Sequence, residues 1–116
     1  TTDQLMAVQA LLPTLAALAT VPLKPAKPLD GVNCWPAIRD RKPIERPPVL
    51  VGGAGGGFAV LEGKWKLIWD SVGLNLFDMV RDPIEAHDLS AEQPLKAADL
   101  ADRLRPIHQA MKELNP

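Results

Sequence analysis

The sequence predicts an α+β fold, with a small antiparallel sheet of about four strands packed by a C-terminal helix and preceded by an N-terminal helix and a Pro-rich connection. Three observations carry that expectation. Apolar residues recur at three-and-four spacing near both ends of the chain. The middle alternates with a period of two between glycine-containing turns. Seven of the 12 prolines fall between Pro22 and Pro48, where neither pattern holds.

From the N-terminus, Leu5, Val8, Leu11, Leu12, Leu15, Leu18 and Ala19 trace one helical face. Pro13 is tolerated only in a first turn, so the helix is expected over residues 12–19, with residues 5–9 a separate turn or a strand end. Pro22, Pro25 and Pro28 make residues 21–31 an extended surface connection. A short helical turn fits between Asn33 and Asp40, with Asn33 as cap and Pro36 near its start, before Pro43, Pro47 and Pro48 extend the chain again. Residues 49–51, 58–61, 64–70 and 75–79 read as four strands. In the third, Trp65, Leu67 and Trp69 share one face and Lys64 and Lys66 the other. One side should be buried, its tryptophans supplying much of the core, and the other wet. Pro94 opens the last helix, whose apolar stripe is Ala97, Leu100, Ala101, Leu104, Ile107, Met111 and Leu114 and which Pro106 should kink. This helix covers the tryptophan face, which leaves the first helix with an apolar surface in need of another partner.

A chain of 116 residues and 12.6 kDa makes one domain at most, residues 1–116 as a whole. It can bury a modest core but not a core and a deep catalytic cleft, so a complete hydrolase or dehydrogenase is not expected. With 13 basic against 14 acidic side chains there is no electrostatic drive toward nucleic acid. No apolar run reaches the roughly 20 residues of a membrane-spanning helix. A single cysteine, Cys34, makes no internal disulfide and no four-ligand zinc site, which leaves the cellular compartment open. The chain starts at Thr1 without a signal-peptide pattern, and the expectation is a piece of a larger protein.

Glycine occupies five of the six positions from Gly52 to Gly57. A phosphate loop would need Lys and then Ser or Thr next, where Phe58 and Ala59 stand, and Phe58 also replaces the third glycine of a dinucleotide fingerprint. The remaining reading is a flexible connection between strands, bordering a pocket in a larger protein. Cys34 has no histidine close in sequence and reads as a small buried apolar residue rather than a nucleophile. His87 and His108 lack metal-ligand spacing, and Glu85, His87 and Asp88 read as a polar turn. Arg39, Arg41, Lys42 and Arg46, interleaved with Asp40 and Glu45, form a solvated surface. No catalytic and no metal-binding residue is assigned.

Five passages, in order, resemble the C-terminal part of an arylsulfatase-type sulfatase, in the alkaline phosphatase superfamily. Leu11-Leu12-Pro13-Thr14-Leu15 with Leu18-Ala19 is similar to the family's Leu-Pro-Thr-Leu helix. Pro28-Leu29-Asp30-Gly31-Val32-Asn33 resembles the passage ending Leu-Asp-Gly-Val-Ser. Ala59-Val60 and Gly63-Lys64-Trp65-Lys66-Leu67-Ile68 resemble the paired strands Ala-Val-Arg and Gly-Arg-Trp-Lys-Leu-Ile. Leu76-Phe77-Asp78-Met79, then Asp82-Pro83-Ile84-Glu85 and Asp88-Leu89, resemble Leu-Tyr-Asp-Leu and Asp-Pro-x-Glu-x-x-Asn-Leu. Departures are Leu61 where Arg is frequent, Ala10 where Asp commonly caps the helix, and Asp88 where Asn is usual. Cys34-Trp35-Pro36 nearly imitates the catalytic signature, but Ile38 holds the place of its arginine and the context is far downstream of the family's nucleophile.

The resemblance implies a parent that hydrolyses a sulfate ester through a formylglycine and calcium, all carried by a larger N-terminal domain, this chain alone being inactive. The chain's implied role is to pack its first helix and one sheet edge against that catalytic domain and to lend Gly53, Gly55, Gly56 and Gly57 as a rim of the substrate pocket. The alternatives are a stand-alone interaction module, a homo-oligomer through the exposed helix face, and a fragment of a related phosphodiesterase or phosphonate hydrolase. A fragment should leave Leu11, Leu15 and Leu18 exposed.

Overall fold

The four alternating runs become four strands in the computed structural model, which describes residues 4–25, 27–52 and 57–114, the side chains at 107, 108 and 110–114 excepted. β1 (Val49–Gly52), β2 (Phe58–Glu62), β3 (Trp65–Trp69) and β4 (Leu74–Asp78) pair in chain order, each pair antiparallel. The turns enforce this meander. Glu62 pairs with Trp65 across Gly63-Lys64, and Gly63 has φ +58°, a region that side chains with a Cβ disfavour. Between β3 and β4, the Asp70 carboxylate accepts hydrogen bonds from the Val72 and Gly73 amides, closing the turn on itself.

The register lines up Val60, Leu67 and Leu76 across the three inner positions of β2, β3 and β4, and all three are fully buried. A third helix in chain order, α3 (Pro94–Leu114), lays Ala97, Leu100, Ala101 and Leu104 on that row. The core is therefore aliphatic at its centre. Trp65 and Trp69 stand two residues to either side of Leu67 and are partly buried along its margin with Phe58, Leu74 and Leu89. Strand periodicity identified the correct face but could not show which residue of the three sits under the helix. α3 runs on through Pro106, and the stripe positions Ile107, Met111 and Leu114 have side chains outside the described ones. Glu62 takes Arg103 at 3.0 Å and Lys96 at 3.2 Å, and both cations also face Asp99 on the helix. These partly exposed pairs orient the helix and add little stability one by one.

Residues 1–47 form a separate compact unit from residues 48–116. In it a 3₁₀ turn (Val8–Ala10) leads into α1 (Leu11–Leu18), with Pro13 in the first turn as its missing amide requires, and α2 (Trp35–Asp40) follows the Pro-rich connection. The cap position falls to Cys34, whose side chain makes no capping hydrogen bond; Asn33, the expected cap, stands one residue earlier and its side-chain oxygen accepts the Trp35 amide at 2.9 Å. The buried residues are small: Ala10, Thr14, Gly31, Cys34 and Ala37. Small side chains let backbones approach. The Cys34 amide donates to the buried Thr14 hydroxyl at 2.9 Å, tying the start of α2 to the middle of α1. A Cβ on Gly31 would lie 1.9 Å from the Gln9 carbonyl oxygen, so only glycine fits there.

Candidate functional site

Helix α1 is almost wholly apolar, yet of its residues only Thr14 is buried. Val8, Leu11, Leu15 and Leu18 make one stripe at helical spacing, with exposures of 76%, 57%, 58% and 46%. This is the exposure the sequence led us to expect. An eight-residue helix is marginal without packing, and an exposed apolar stripe of this kind is a candidate contact surface.

Of the glycine-loop residues, Gly53, Gly55 and Gly56 lie outside the described residues. Gly57 leads into β2, where an added Cβ would come 3.3 Å from that of Asp70. Beside it, on the sheet face turned away from α3, is a hollow of about 420 Å³ lined by Val51, Ala59, Leu61, Lys66, Ile68 and Met79 among others. The expected wet face is thus largely apolar. Ala59 and Phe77 on it are buried, and the Lys66 ammonium is neutralised by Glu85 at 2.6 Å. Lys64 and Lys66 suggested solvent; the structure leaves Lys64 in the turn before β3, and the apolar residues that the register places around Lys66 decide otherwise.

The aspartates of the C-terminal passage build backbone. Asp78 ends β4, buried, with its carboxylate accepting the Lys64 ammonium at 2.6 Å and the Val80 and Arg81 amides. Lys64 in turn lies 4.5 Å from the centre of the Trp65 ring. Asp82 accepts the Ala86 and His87 amides, and these hydrogen bonds hold its carboxyl below the usual carboxylate range. The Asp88 Oδ1 accepts the Leu76 and Ser90 amides while Oδ2 accepts the Ser90 hydroxyl. Desolvation raises the pKa of Asp88, but those hydrogen bonds outweigh it and the net shift is downward. An asparagine at this position would keep both Oδ1 bonds and turn its amide to the Ser90 oxygen. Asp88→Asn is therefore expected to leave the chemical denaturation midpoint nearly unchanged, whereas Asp88→Ala should lower stability by about 1 kcal/mol.

The hydrogen bond from Lys64 is the main cause that holds Asp78 below its ordinary 3.8, ahead of opposing desolvation and the supporting backbone amides. Its contribution to stability is complete above the unfolded value and is lost as pH falls through the lower folded one. Thermal melts should show Asp78→Asn destabilised at neutral pH, with the gap to the wild type closing as the solution is acidified below about pH 4. A gap that stays constant would contradict the ion-pair role.

The remaining candidates do not share partners. Cys34 is buried, its thiol facing the Val32 carbonyl at 3.5 Å, and Arg39 is bound bidentately by Asp40. Glu85 points to Lys66, Asp88 to Leu76 and Ser90, and His87 is exposed with Nδ1 3.9 Å from Asp82. His108 has a side chain outside the described ones. Among the described residues no group of three or more His, Cys, Asp or Glu could hold a metal ion.

No protein-family profile and no curated protein matches the sequence. Solved structures do. Ps i-CgsB is 25% identical with a TM-score of 0.77, over 90% of this chain and 24% of its own. The structure of Ps i-CgsB in complex with k-i-k-neocarrahexaose is 27% identical with a TM-score of 0.72, over 85% and 23%. BT1596, a 2-O GAG sulfatase, is 26% identical with a TM-score of 0.58, over 89% and 24%. BT33336S-sulf, from work on the metabolism of multiple glycosaminoglycans by Bacteroides thetaiotaomicron, shares the fold at 18% identity and a TM-score of 0.70, over 86% and 24%. The chain spans about a quarter of the length of these proteins.

Proposed function

We propose that the chain is a C-terminal subdomain of a sulfatase and that it completes a sulfuric ester hydrolase whose catalytic groups lie outside it. The observation that carries this reading is the match of nearly the whole chain to a quarter of BT1596 and Ps i-CgsB. The motif residues add support, since Thr14, Gly31, Asp78, Asp82 and Asp88 each fill a specific backbone-tying role. The partner is the N-terminal catalytic domain, met by the α1 stripe and one sheet edge. The loop of Gly53, Gly55, Gly56 and Gly57 serves as a rim of the substrate pocket. The family resemblance carries calcium; the described residues do not fit a metal ion, so the catalytic domain would hold it.

For the substrate class, two of the neighbours named above, at 26% and 27% identity, are described with carbohydrates, a 2-O GAG sulfatase and a complex with a neocarrahexaose. We therefore assign the parent to sulfated carbohydrates rather than aryl sulfates. Sulfate release by the intact enzyme should be measured on a sulfated glycosaminoglycan oligosaccharide and on an aryl sulfate. Preferential release from the oligosaccharide is expected, and removing two glycines from the 53–57 loop should alter the substrate range. Cleavage of phosphodiesters or phosphonate esters instead would move the parent to a related hydrolase. An unchanged range after loop shortening would remove the rim role.

A further inference from the structure

Asp30-Gly31 is the only Asp-Gly step in the chain, and there is no Asn-Gly step. Such a step carries its own chemistry. The Gly31 amide nitrogen attacks the Asp30 side-chain carboxyl carbon, a C–N bond forms, the carboxyl gives up an oxygen as water, and a cyclic imide closes on the main chain. Water then adds back to either ring carbonyl. Opening at the main-chain carbonyl leaves the backbone running through the former side chain, an isoaspartate with an extra methylene in the chain. Water lost in the first step is regained in the second, and nothing is oxidised or reduced.

Glycine makes the step reactive because no Cβ shields the attacking nitrogen. The same missing Cβ seats Gly31 in the fold, where a Cβ would lie 1.9 Å from the Gln9 oxygen and 2.8 Å from the Ala10 nitrogen. Asp30 is exposed and Gly31 is buried, so the reacting pair straddles the surface of the N-terminal unit with its nucleophile on the packed side. Closing the ring swings the peptide between them and carries Gly31 against backbone atoms that no side-chain rotation clears. The segment before α2 must first lift from the 3₁₀ turn, and that movement parts the Cys34 amide from the Thr14 hydroxyl. We propose that Asp30 is a site of spontaneous isoaspartate formation gated by opening of the N-terminal unit, and that the modified chain holds the unit open. The extra methylene lengthens the backbone where Gly31 sits flush against Gln9, so the closed packing is not recovered. Where opening and reclosing are fast beside ring closure, the rate of modification follows the open fraction. The inference concerns this unit's own chemistry and does not depend on the sulfatase reading.

The test holds the intact protein at neutral pH across a urea series. It reads isoaspartate at position 30 by enzymatic carboxyl methylation with peptide mapping, and thiol labelling at the buried Cys34. Isomerisation should be at least about tenfold slower in buffer than in unfolding urea, and between those limits both rates should rise together. Equal isomerisation with and without urea would overturn the gating. Thr14→Val, which removes the hydroxyl that accepts the Cys34 amide, should speed both reactions in buffer; should it unfold the unit, Asp30 should react at the urea rate. Faster labelling of Cys34 with Asp30 still at the wild-type rate would overturn the gating equally. Once isomerised and returned to buffer, the modified fraction should label at Cys34 at least about tenfold faster than the unmodified protein. Equal labelling would show that the unit closes around isoaspartate and overturn the claim that the modification holds it open.

Discussion

Gly31→Ala is expected to break the N-terminal unit while leaving the sheet intact. The added Cβ would lie 1.9 Å from the Gln9 oxygen and 2.4 Å from its carbon, both backbone atoms, so no side-chain rotation relieves the clash. The segment before α2 must move away from the 3₁₀ turn, and with it the Cys34 amide leaves the Thr14 hydroxyl. The cost should be about 3 kcal/mol or more for that unit. Cys34 is a built-in reporter. At 2% exposure it should resist thiol reagents in the wild type and react readily in the variant. Gly63→Ala is the comparison, since nothing lies within 4 Å of its added Cβ and only its positive φ is strained. It should cost about 1 kcal/mol and leave Cys34 protected. Equal protection of Cys34 in Gly31→Ala would refute the close-approach account.

Leu100→Ala should have the largest effect in the C-terminal unit. Leu100 is fully buried against the row of Val60, Leu67 and Leu76, and its truncation leaves a cavity between α3 and the sheet. About 2–5 kcal/mol of stability should be lost, the upper end if the row cannot collapse inward. Leu95, on the same helix but 87% exposed, provides the control: Leu95→Ala should shift the denaturation midpoint by less than about 0.5 kcal/mol equivalent. Similar losses at both positions would contradict the packing described.

Periodicity and turn residues made the architecture readable. The four strands, the Pro94 start of α3 and the Asn33 turn before α2 are local signals, carried by a few neighbouring residues. What eluded the sequence is non-local. That Leu67 rather than Trp65 or Trp69 sits centrally depends on where α3 lies, and the apolar second face depends on the register of four strands. The Lys66 pair with Glu85 spans 19 residues and has no short-range pattern. The candidate site divides the same way. The exposed α1 stripe was legible from helical spacing, whereas three of the four rim glycines lie outside the described residues, and their role stands on the glycine run and the resemblance. The family motifs were readable as text before their physics was visible. Thr14, Gly31 and Asp88 are explained only once their partners, Cys34, Gln9 and Leu76, are placed beside them.

The central claim is that these residues work as part of a larger sulfatase. Native mass spectrometry of the protein from its own source, with a denaturing run beside it, tests this most directly. The account predicts the sequence within a polypeptide about four times its length, or bound to one about three times its length, as the coverage of the neighbouring structures implies. A folded, lone species of 12.6 kDa would contradict it.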